Sequence, residues 1–177
     1  MNMLLGAKSK ALNPEALHGS LKTNKVGWGI VARDWKGKLV ATWACPSFTC
    51  SAPILEEALA IRTAMVKAAL EGWGRIIIES DCKAVIDRIL KDMDNVVIST
   101  ALQDIKLLKH NFEECCFSFV RRKFNSVSHK SAKFALNLGS VVDLVFQFGC
   151  LIVLKQTLRS SCSRMCNLVL MNEMLPF

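Results

Sequence analysis

No two of the eight cysteines stand at CxxC spacing, and the nearest approach, Cys162 and Cys166, has no histidine close by. The ligand patterns of common structural zinc sites are therefore missing. The opening residues do not read as a secretory leader either. MNMLLGAKSKAL has only a short apolar run, and its lysines follow that run instead of preceding it. The expectation is an intracellular chain, nuclear or cytoplasmic, with reduced cysteines. There is also no unbroken apolar stretch long enough for a standard membrane span, because Asp143 and Gln147 interrupt VVDLVFQFGCLIVLK. Acidic residues are in deficit, with Lys+Arg 23 against Asp+Glu 15 and a net charge of +8. Such a balance suits a polyanionic partner or an acidic surface, and the interrupted tail argues against a membrane.

The 177 residues, 51% of them hydrophobic, are enough for one domain with a sizeable core. VGWGIVAR and KLVATWAC, joined by the turn residues DWKG, read as a β-hairpin. LEEALAIRTAMVKAALEG repeats its apolar residues at helical spacing and stops at Gly72. RIIIES has the β-branched run of a buried strand, and DCKAVIDRILKDM follows as an amphipathic helix with Asp81 at or near its N-cap. STALQDIKLLKHN predicts a Ser-capped helix, CCFSFVRR a strand, and 127–138 a last helix. This order implies an α/β fold with a mixed sheet flanked by helices. The chain divides into an N-terminal segment (1–25) that could hold a degenerate first strand, a domain (26–140) and an apolar tail (141–177). Trp28, Trp35, Trp43 and Trp73 read as packing residues, with base stacking the alternative.

Buried strands seldom end in acids, yet RIIIESDC ends in Glu79 and Asp81. Carboxylates converging at strand ends are what hard cations such as Mg²⁺ require. For Asp81 the plainer alternative is a helix cap, and for His129 a partly exposed histidine at a helix end. Glu79, two residues from Asp81, should share its face of the strand and either support it or pair with an arginine. RRKFNSVSHKSAK carries Arg121, Arg122, Lys123, Lys130 and Lys133 with no acid among them, the pattern of a backbone-following basic strip or of a solvated helix face.

Four stretches in order, GWGIVARDWKGKLV, LEEALAIRTAM, IIIESDCKAVI and FVRRKFNSVSHKSAKFAL, make the chain from about Val26 to Gly139 resemble the ribonuclease H-like (type 1 RNase H) domain common in plant proteins of retroelement origin. The resemblance implies an RNase H-like mixed sheet flanked by helices and a monomer with no small-molecule cofactor. It also implies cleavage of the RNA strand of an RNA–DNA hybrid, with Mg²⁺ or Mn²⁺ held by four acidic positions. Carried over, the helix acid falls on Glu57, the strand-end acid on Asp81 and the last position on His129. The first-strand acid has no direct match in KSKALNPEALHGSLKTNKVGWG, where Glu15, His18 and Ser9 are the candidates and Pro14 disfavours an ordinary strand. Arg121, Arg122, Lys123, Asn125 and Lys130 are the implied nucleic-acid contacts. The alternative is a catalytically inactive nucleic-acid-binding module with an incomplete acidic site.

Overall fold

The computed structural model describes residues 2–11, 26–47, 52–93, 96–137, 142–147, 150–155 and 168–170. Strands β1 (Asn2–Ala11), β2 (Val26–Arg33) and β3 (Leu39–Ser47) form an antiparallel meander. Helix α1 (Pro53–Leu70) then leads to β4 (Arg75–Ser80), which pairs parallel to β1. Helices α2 (Lys83–Lys91) and α3 (Ser99–Lys109) precede β5 (Glu114–Phe119), parallel to β4. A 3₁₀ turn (Arg122–Asn125) runs into helix α4 (Ser126–Ala135). The result is a mixed five-stranded sheet, β5-β4-β1-β2-β3, flanked by four helices. Beyond it, β6 (Val142–Gln147), β7 (Cys150–Lys155) and β8 (Leu168–Leu170) extend the sheet antiparallel from the β3 edge.

Alternation of side chains decides which residues meet on each face. On one face Met3, Leu5 and Ala7 of β1, Ile30 and Ile78 pack against Ala58, Ile61 and Met65 of α1 and the apolar sides of α2 and α3. Trp43 closes this core at 1% exposure, its ring 5.9 Å from that of Trp73. Two tryptophans are thus packing residues, as the sequence suggests.

The opposite face of the sheet is covered by α4 alone among the four helices. Small residues make the approach very close. A Cβ at Gly29 would lie 2.1 Å from Ser128 O and 2.3 Å from Ala132 N, and one at Gly27 2.2 Å from Ala132 O. On the helix side Ser128, Ser131, Ala132 and Ala135 are buried. Ser131 Oγ donates to Trp43 O and Ser128 Oγ to Gly6 O. The helix is therefore bonded down onto strand carbonyls as well as packed against them.

The first strand starts before the stretch KSKALNPEALHGSLKTNKVGWG and shares only Lys8–Ala11 with it. β1 is central, between β2 and β4, and NMLLGAKSKA contains no Asp or Glu. Ser9 lies on it, opposite Trp28 in the register. Glu15, His18 and Pro14 fall outside the described residues. Two helix starts also differ from expectation. Cys82, not Asp81, is the N-cap of α2 and makes no side-chain cap bond. Ile98, not Ser99, is the N-cap of α3. In each case the polar side chain bonds elsewhere: Ser99 Oγ donates back to Val96 O, and Asp81 turns to a partner across the fold.

Candidate functional site

β1 and β4 run parallel and end side by side, with Ala7 opposite Ser80. Asp81 follows at once, where the chain leaves the sheet for α2. The 3₁₀ turn brings Asn125, 4% exposed, over this edge. Its Nδ2 donates to Ala7 O and to Asp81 Oδ1, each at 3.1 Å. One amide thus ties together the first strand, the strand-end acid and the start of α4. Gly6 makes room for it, since a Cβ there would sit 2.9 Å from Asn125 Oδ1 and 2.6 Å from Ser128 Oγ.

Glu57 and Glu56 occupy the first turns of α1 and are 7% and 3% exposed. Glu56 accepts a hydrogen bond from Trp28 Nε1 at 2.9 Å. Sequence reading passed over Glu56. A doubled glutamate opening an otherwise apolar helix was the available signal, because buried acids need donors. His129, half-buried, follows Asn125 by four residues on α4, close to one helical turn. The two-metal arrangement implied by the resemblance needs several carboxylates in one place. Among the described residues no group of three or more His, Cys, Asp or Glu side chains could hold a metal ion. With no acid on β1, the donor set among the described residues does not fit that site. Among the described residues Cys115 and Cys116 are free thiols. Burial pushes the Cys115 thiol up to about 11, so it is not an anionic ligand at neutral pH.

Glu79 faces the α4 side, in a small cleft with Arg33, Gly6, Phe124 and Asn125. Asn125 is common to this cleft and to the Asp81 bond, so Glu79 adjoins the junction from the sheet face. Desolvation raises the pKa of Glu79, and the Arg33 guanidinium opposes the rise. The two flank β1, where Arg33 pairs with Leu4 and Glu79 with Gly6. A carboxyl whose pKa is raised on folding favours the folded state below its unfolded pKa and loses that contribution as pH climbs through the folded value. Glu79→Gln should therefore reduce any loss of Tm between about pH 4 and about pH 7, as followed by circular dichroism melts. An unchanged pH profile would contradict this assignment.

Arg121, Arg122, Lys123, Lys130 and Lys133 are all exposed along the 3₁₀ turn and α4, which places this basic strip beside the junction. The reverse transcriptase-like family matches residues 17–135. The chain belongs to that family. No curated protein matches it. Among solved structures, RNase H1 from the halophilic archaeon Halobacterium salinarum NRC-1 superposes with a TM-score of 0.68 at 16% identity, over 77% of this chain and 98% of that one. LC11-RNase H1, isolated from compost and solved in complex with an RNA/DNA hybrid, gives 0.64 at 12% identity over 76% and 96%. Prototype foamy virus protease-reverse transcriptase gives 0.60 at 14% identity, over 77% of this chain but 21% of the viral one. These likenesses establish the RNase H-like fold. Of the residues the resemblance singles out, Glu57 lies on α1, Asp81 just past the end of β4 and His129 on α4, while β1 carries no carboxylate.

Proposed function

We propose that this chain is a nucleic-acid-binding RNase H-like domain that engages RNA–DNA hybrids, or duplexes of similar A-form shape, along the basic edge of α4, without metal-dependent cleavage. The observation that carries the reading is the junction at the ends of β1 and β4. There Asn125 bonds both Ala7 O and Asp81 Oδ1, no acid stands on β1, and exposed cations lie alongside. Cations in a strip without intervening acids bind a phosphate backbone through release of its counterions. Recognition of A-form helices rests on backbone shape and 2′-OH groups, which needs no base-reading element. Retention of Glu57 and Asp81 at two of the positions implied by the resemblance favours a second reading, hydrolysis of the RNA strand with Mg²⁺ or Mn²⁺.

Two measurements separate the readings. Hybrid affinity should fall steeply with salt, stay the same in Mg²⁺ and in EDTA, and lose about 1 from the log–log salt slope in Arg122→Ala or Lys130→Ala. Affinity that stays flat from low to moderate salt would remove the binding reading. Incubation of labelled hybrid with Mg²⁺ or Mn²⁺ should yield no cleavage above an Asp81→Asn control, and cleavage above that control would establish the second reading instead.

A further inference from the structure

Two exposed aromatic rings stand on two elements, the β2–β3 turn and the 3₁₀ turn, that share Arg33 as a neighbour. Trp35, at the β2–β3 turn, is 68% exposed, and Phe124, on the 3₁₀ turn, is 71% exposed. Each has a lysine over its ring, Lys36 Nζ 4.9 Å from the Trp35 centroid and Lys123 Nζ 4.8 Å from that of Phe124. Arg33 joins them. It lines the cleft beside Phe124, and its Nη1 donates to Gly37 O, in the same turn as Trp35, at 3.3 Å. The acid of that turn, Asp34, is engaged by its own turn, its Oδ1 accepting from the backbone N–H groups of Lys36 and Lys38. Neither ring belongs to the core.

Flat π-faces beside cations match what an unpaired nucleic-acid strand offers, namely bases free to stack and phosphates to neutralise. A duplex keeps its base faces inside its own stack and cannot use the rings. We propose that Arg33, Trp35, Lys36, Lys123 and Phe124 form a contact for single-stranded nucleic acid, in which bases stack on Trp35 and Phe124 while phosphates lie on the cations. This contact lies beyond the duplex-binding reading above and is independent of it, although both use the strip beginning at Arg121.

Trp35 supplies its own reporter, because the other three tryptophans are buried or half-buried. Titrating the full chain with a single-stranded oligonucleotide of about 10 nucleotides should quench tryptophan fluorescence. Trp35→Ala should abolish the quenching. Trp35→Ala and Phe124→Ala should each weaken single-strand affinity about tenfold, with Trp35→Phe restoring most of it. Blunt RNA–DNA hybrid should bind both alanine variants as it binds the parent. Single-strand affinity unchanged in both alanine variants would overturn the proposal and reduce the surface to an electrostatic one. A parent chain that fails to bind hybrid while its single-strand quenching is intact would overturn the duplex reading and support this one. Since both rings are exposed, the alanine variants should melt as the parent does.

Discussion

Alanine at Gly29 should destabilise the fold by about 3 kcal/mol. The added methyl carbon would stand 2.1 Å from Ser128 O and 2.3 Å from Ala132 N. Both obstacles are helix backbone, so no side chain can swing away, and relief requires moving α4 off the sheet. That movement would strain the Ser128–Gly6 and Ser131–Trp43 hydrogen bonds, which hold the helix to β1 and β3. Urea denaturation should show a lower midpoint, with the far-UV spectrum of any folded fraction unchanged. Gly74→Ala is the control. The three atoms nearest its new carbon all belong to the Glu113 side chain, from 2.9 Å, a flexible side chain 77% exposed that pairs loosely with Arg75 at 3.9 Å. If Gly29→Ala and Gly74→Ala cost the same, α4 does not sit against the glycine strand as described.

The second large effect is expected at Asn125. Asn125→Ala removes both bonds of the amide and leaves Ala7 O and the Asp81 carboxylate to find other donors at a buried edge, a loss of about 2–4 kcal/mol. Because the same side chain positions the start of α4, the basic strip beside it should shift as well, and hybrid affinity should fall together with Tm. Asp81→Asn tests the other half of the bond. In a domain whose Asp81 serves this contact, Mn²⁺ should leave the Tm of the parent chain unchanged and Asp81→Asn should lower it modestly. A metal site would behave oppositely. Mn²⁺ would raise the parent Tm through binding to the native state, and Asp81→Asn would remove that increment. The two outcomes differ in sign, and neither depends on detecting cleavage.

Much of the architecture is legible locally. The β-branched run of β4 and the 3.6-residue apolar spacing of α1 each follow from a pattern that repeats within a few residues. The glycine at the end of α1 is of the same kind, since Gly72 takes a φ of +70° just after the helix stops. β1 escaped that logic. MLLG is a short apolar run followed by lysine and serine, with no alternation strong enough to announce a central strand. Its place is set by partners far along the chain, β2 on one side and β4 on the other. The family match, too, begins only at residue 17, after β1 has ended.

The site divides in the same way. Glu57, Asp81, His129 and the basic residues could be named from order and spacing, because the resemblance is carried by four stretches in sequence. What Asp81 does could not. Capping is a local preference of aspartate, worth about 1 kcal/mol, and a buried amide that bonds the carboxylate from 44 residues away takes its place. Likewise, Glu56 bonds Trp28 across 28 residues, and Arg33 and Phe124 share a cleft only because the 3₁₀ turn folds over β1 and β2. By itself, then, the sequence determined the helices, the β4 strand, the basic charge and the roster of acids. These depend on short-range periodicity and composition. Only the tertiary structure decided that the first strand lies at Asn2–Ala11 without an acid, that Asp81 is tied to Asn125, and that Arg33 links the β2–β3 turn to the cleft beside Phe124. Those facts depend on which distant segments pair, and pairing is settled by the joint burial of whole faces rather than by any one stretch of chain.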